Sequence, residues 1–136
     1  MQEVLFLISP LLALVASVLV IAVIRFLDVL EREPWWAIAV SFGVGLMTVV
    51  PAIVLSGVVR VFWTQWLGPD APLEMLSVVV TAPVVEEAVK AAGVVLVRLR
   101  IRREMGSLTE FVVYACVVAG AFEFCETTLY LWTRLA

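Results

Sequence analysis

Residues 82–93 read APVVEEAVKAAG, two adjacent glutamates and a lysine set among alanine and valine. The apolar run around them extends over about residues 73–97, long enough to cross a bilayer, which takes roughly 20 residues. How these three charges are read decides the fold. On a soluble helix Glu86, Glu87 and Lys90 would form a solvated face. At the centre of a membrane helix each would cost about 2.5–3.5 kcal/mol, so they would have to face inward, pair or carry protons.

Composition selects the membrane. The 136 residues are 64% hydrophobic and 15% charged, against about 45–50% and about 25% for soluble domains, and the mean hydropathy is +1.13. Four apolar runs cover residues 4–27, 35–63, 73–97 and 108–133, separated by short linkers. The expected fold is all-α: one polytopic transmembrane domain over 1–136, four helices in a compact bundle. Gln2 and Glu3 stand where a signal peptide needs bases, so the first run reads as a retained helix. Cys116 and Cys125 are nine residues apart, ~13 Å along a helix and too far for a disulfide. They read as buried thiols, and no metal-type cysteine spacing is present. The net charge of -3 lacks the basic patch of a nucleic-acid binder, so the expected surroundings are lipid.

Charge also sets direction. The linker after the third run carries Arg98, Arg100, Arg102 and Arg103, and the first linker is flanked by Arg25 and contains Arg32. Both are expected to face the cytoplasm, which puts both termini on the other side. Trp35 and Trp36 then fall at the inner interface, and Trp63, Trp66 and Trp132 at the outer one. Pro51 and Pro83 interrupt the second and third helices, as membrane helices tolerate. The small-residue pairs Ser41/Gly45, Ala88/Ala92 and Ala115/Ala119, each spaced by four, suit close helix contact.

Glu87 lies eleven residues before Arg98, ~16 Å along the helix. Glu123 lies thirteen residues after Glu110, ~20 Å along the last helix, with Glu126 ~5 Å further. Carboxylates on two helices therefore reach similar depth. Glu86 and Lys90 form an i,i+4 pair, so the expected assembly has Lys90 neutralise Glu86 and leaves Glu87 facing Glu123 and Glu126, with Tyr130 one turn beyond. Crowded carboxylates in a low dielectric can divide the roles of acid and base. Water activation, a proton or ion relay, and polar glue that fixes helix register all fit this pattern. Above and below the cluster the helices carry mainly Ser, Thr and apolar residues, which ranks the relay last.

The motifs resemble the PrsW-type intramembrane proteases, relatives of CAAX-processing and bacteriocin-processing membrane peptidases. An acidic turn, D-x-x-E-x-E-P in that family, is matched by Asp28, Glu31, Glu33 and Pro34. The A-P-x-x-E-E-x-x-K helix is matched by Ala82, Pro83, Glu86, Glu87 and Lys90, and a later helix by Tyr114, Phe122, Glu126 and Tyr130. The resemblance implies that Glu86 and Glu87 are a catalytic pair activating water for peptide hydrolysis within the membrane. It further implies a supporting carboxylate in Glu126, with Lys90 orienting or neutralising the pair, a histidine on a later helix, and a metal-dependent or glutamic site. Glu123 and Tyr130 are further supporting candidates by their place in the cluster, with Tyr130 or Lys90 as donor to the oxyanion. Here Thr127 replaces an asparagine, Glu110–Phe111 replaces an aspartate-glycine pair, Glu123 is an extra acid, and there is no histidine.

These departures lead to the expectation of a shortened member. Zinc held by carboxylates and thiols alone would lack the imidazole such sites use, so no metal ligands are assigned. Two functions are carried forward. One is an intramembrane peptidase acting on membrane-embedded peptides, placed by the resemblance in the bacterial inner membrane. The other is a catalytically silent subunit docked in a larger membrane complex of respiratory or photosynthetic type.

Overall fold

The computed structural model describes residues 33–68, 72–102 and 106–135, with scattered helical positions between 8 and 23. The expected first helix, 4–27, otherwise lies outside the described residues, as do Asp28, Glu31, Arg25, Arg32 and Arg103. The described part is all-helical: α1 (Trp35–Leu67), α2 (Leu73–Leu76), a π-helical turn (Ser77–Thr81), α3 (Ala82–Arg100) and α4 (Leu108–Leu135).

Each boundary has a local cause. Pro34 precedes α1 with an extended backbone (φ -67°, ψ 137°). Gly68 ends α1 at φ 79°, a left-handed value that glycine adopts without strain. Pro83 cannot donate a backbone hydrogen bond to the preceding turn, and the helix meets it with the π turn immediately upstream, where the ladder slips by one residue. The Trp63 indole N–H reaches across from α1 to the Thr81 hydroxyl at 3.0 Å, fixing that turn. At the start of α4 the backbone N–H of Glu110 donates to Ser107 Oγ at 3.2 Å. The Glu110 carboxylate in turn accepts from the N–H groups of Ser107 (2.9 Å) and Gly106. That reciprocal capping box explains why Glu110 is buried at a helix end.

Two helices among the described residues, α1 and α4, are long and apolar enough to cross a membrane, with mean hydropathies of 2.3 and 1.7. Four crossings were expected. The 73–97 run falls short for a physical reason: α3 carries Glu86, Glu87, Lys90, Arg98 and Arg100 within 19 residues, and α2 with the π turn adds only a short apolar extension. The other expected run, 4–27, lies mostly outside the described residues. At 33 residues α1 is ~50 Å long, well beyond a hydrocarbon core of about 30 Å.

The three long helices meet along two linked cores. Ala37, Val94, Val97, Ile101, Tyr114 and Val118 form one, and Val49, Ala52, Val89 and Phe122 the other. Between them the backbones come close. A Cβ on Gly45 would run into the Val118 carbonyl oxygen and lie 2.7 Å from Ala121 Cβ, and one on Gly93 would lie 2.8 Å from Thr48 Cγ2. Ser41, next to Gly45 on the same face, turns its hydroxyl to its own helix, donating to the Ala37 carbonyl at 2.8 Å. Thr48 does the same toward the Gly45 carbonyl at 2.6 Å. Of the small-residue pairs, Ser41/Gly45 is a buried contact, whereas Ala88 and Ala92 are exposed on α3 and Gly93 takes the contact instead. Below the cores, the Tyr114 hydroxyl donates to the buried carboxylate of Glu33, tying the entry of α1 to α4.

Gly45→Ala is therefore expected to destabilise the fold by about 1–3 kcal/mol, the range for overpacking a tight contact. Gly57→Ala on the same helix meets nothing within 4 Å and should be neutral or stabilising by up to about 1 kcal/mol. Thermal unfolding of both variants in detergent checks the contrast.

Candidate carboxylate site at the α3–α4 contact

The sequence singled out Glu86, Glu87 and Lys90 on one helix and Glu123, Glu126 and Tyr130 on another. The fold brings α3 and α4 together so that these residues share one region, but not in the expected pairs. Lys90 Nζ donates to Glu87 Oε1 at 3.1 Å and to Glu123 Oε1 at 2.8 Å. The expected Lys90–Glu86 pair does not form. Glu87 and Glu86 point about 100° apart on the helix, and the ammonium turns to the side from which Glu123 enters.

The Lys90 side chain is 11% exposed, against 74% for Glu87 and 57% for Glu123. The lysine is thus the inner member of the network. Its head group also sits over the Phe122 ring, 4.6 Å from the centroid, where the ring's quadrupole attracts a cation. Phe122 entered the sequence analysis only as a motif match, and its contact with Lys90 was not foreseen because it carries no charge.

Glu86 takes a different side. It lines an open cavity of about 360 Å³ with Glu126 and Tyr130, walled by Phe122, Ala52 and Ile53. Glu123 and Glu126 were expected to share a face. Three residues along a helix leave ~60° between side chains, enough to send Glu123 to Lys90 and Glu126 to the cavity. Phe122 lines that cavity and also lies beneath the Lys90 ammonium. On the Lys90 side a second groove, about 520 Å³, runs between α3 and α4 past Ala91, Ala115, Cys116 and Ala119. Ala115/Ala119, the third small-residue pair, thus borders open space more than a helix contact. Cys116 and Cys125, expected to be buried, are free thiols that are only partly buried.

Two helices long and apolar enough to span a membrane, α1 and α4, packed with an α3 whose Lys90 binds Glu123 of α4, fit a helical membrane protein. The profile of the PrsW family intramembrane metalloproteases matches residues 33–136. The chain belongs to that family and is an integral membrane protein. No curated protein and no solved structure matches it. The match begins at Glu33, so the Glu33–Pro34 end of the acidic turn lies inside it.

The family description implies a metal, and the donors among the described residues do not fit one. Among the described residues no three His, Cys, Asp or Glu side chains are grouped to hold an ion, the sequence has no histidine, and the Lys90 ammonium lies between two of the candidate carboxylates.

Lys90→Met removes the shared donor of two carboxylates and should cost about 1.5–3 kcal/mol, the range for hydrogen bonds to charged groups. Glu86 forms no hydrogen bond or ion pair among the described residues, so Glu86→Gln should leave the unfolding temperature within a degree or so of wild type, about ±0.5 kcal/mol. Parallel melts in the same detergent separate the two.

Proposed function

We propose that the protein is an intramembrane peptidase of the bacterial inner membrane, hydrolysing membrane-embedded peptides with the carboxylates of α3 and α4. Family membership over residues 33–136 supports the reaction class. The single observation that carries the residue assignment is the division of the glutamate pair, with Glu86 on an open cavity beside Glu126 and Tyr130 and Glu87 held by Lys90. The proposed topology keeps four crossings. The run 4–27 supplies one, and residues 73–100 supply another, whose charges are accommodated by packing against α1 and α4.

In this reading both members of the pair act, with different tasks. Glu86 takes a proton from a water molecule in the cavity as that water attacks the peptide carbonyl carbon, and later returns the proton to the leaving amine. Glu126 supports it from the facing helix, and Tyr130, which lines the same cavity, donates its hydroxyl to the developing oxyanion. Glu87 fixes Lys90 and, with Glu123, sets the register of α3 against α4. No step passes through a metal, because the donors do not fit one.

The second reading, a silent membrane-complex subunit, is favoured by one observation: Lys90 already satisfies Glu87 and Glu123. The two readings separate in one assay. Purified chain in lipid nanodiscs is expected to cleave a panel of transmembrane peptides, with Glu86→Gln losing at least about 100-fold in rate, as removal of a general base does. Absence of cleavage by the wild type, together with recovery at fixed stoichiometry in a larger membrane complex, would replace the peptidase with the subunit.

A further inference from the structure

The disagreement between the family's metal and the donors of this chain has a specific chemical form. A divalent ion bound by carboxylates sits about 2.0–2.6 Å from their oxygens. Lys90 Nζ already lies 3.1 Å from Glu87 Oε1 and 2.8 Å from Glu123 Oε1, so an ion on those oxygens would press against a fixed positive charge. The side chain reaches this place from a buried position, and the Phe122 ring 4.6 Å away is a further cation-binding surface. Carboxylates on two helices and an aromatic face thus converge on one covalently attached cation. We propose that Lys90 is the built-in cation of this site: its ammonium takes the place of a resident metal between Glu87 and Glu123, and the chain holds no divalent metal of its own.

This holds whether or not the chain hydrolyses peptides, since it concerns what neutralises the carboxylates. It makes Lys90 a positioning residue, acting through Glu87 and Glu123 and not on substrate. A missing side-chain ammonium should also be replaceable by a small free one, whereas a residue with only a packing role would gain nothing from it.

The test uses the wild-type chain purified in detergent without added metal. Elemental analysis is expected to find substoichiometric zinc and manganese, and the unfolding temperature is expected to stay unchanged on adding chelator, Zn²⁺ or Mn²⁺. Lys90→Ala should unfold at a lower temperature, and methylammonium should restore part of the loss. Methylammonium should do nothing for the wild type or for the double variant Lys90→Ala/Glu123→Gln. One tightly held metal ion per wild-type chain would overturn the proposal, and this holds even if Lys90→Ala fails to fold. A folded Lys90→Ala that methylammonium does not stabilise, or a rescue that persists in the double variant, would overturn it equally.

Discussion

Lys90 joins α3 to α4 through hydrogen bonds to Glu87 and Glu123 while resting on the Phe122 ring, and the chemistry of the interior follows from that arrangement. Inside an apolar bundle an unpaired charge costs far more than a paired one. Three charges in one network are tolerable where three separate ones are not. The network leaves two carboxylates, Glu86 and Glu126, outside it, on the other side of Phe122. The division of an otherwise symmetric-looking glutamate pair into a held member and an open member is a consequence of where the lysine goes.

The lysine can go there because the backbones are close. Gly45 lets α1 approach the Val118 carbonyl of α4, and Gly93 lets α3 approach Thr48 of α1. Helices that pack through small residues are held by van der Waals contact and interhelical hydrogen bonds, which matter in lipid, where burial of apolar surface alone gives little. The two cores on either side of these contacts set the rotation of α3, and so decide which of its glutamates meets α4. The ends are pinned separately, by Tyr114 on Glu33, by Trp63 on Thr81, and by the Ser107–Glu110 box.

Much of this was legible in the sequence. The all-helical membrane class followed from composition, and the family from three motifs in order, because both signals are carried by residue types at fixed spacing. The depth argument that set Glu86, Glu87, Glu123 and Glu126 near one level needed only the helical rise. The pairing was not legible: spacing allows Lys90 to reach Glu86 at i,i+4 or Glu87 at i,i+3, and the choice depends on the rotation of α3 against α4, which packing decides. Gly93 was missed because it has no small partner four residues away on α3, its neighbour in space being Thr48 of α1. The expected crossing at 73–97 was over-read from its apolar flanks, because α3 carries five charged residues within its 19 and does not qualify as a span by its own apolarity.

The Lys90 ammonium is the cation held between Glu87 and Glu123. Nitrogen-detected NMR of the chain with ¹⁵N-labelled lysine, in micelles, tests this most directly, because Lys90 is its only lysine. The account predicts a single ammonium signal that is protected from exchange with water and shifts in both Glu87→Gln and Glu123→Gln but not in Glu86→Gln. A freely exchanging ammonium, or one that responds to Glu86→Gln alone, would contradict it.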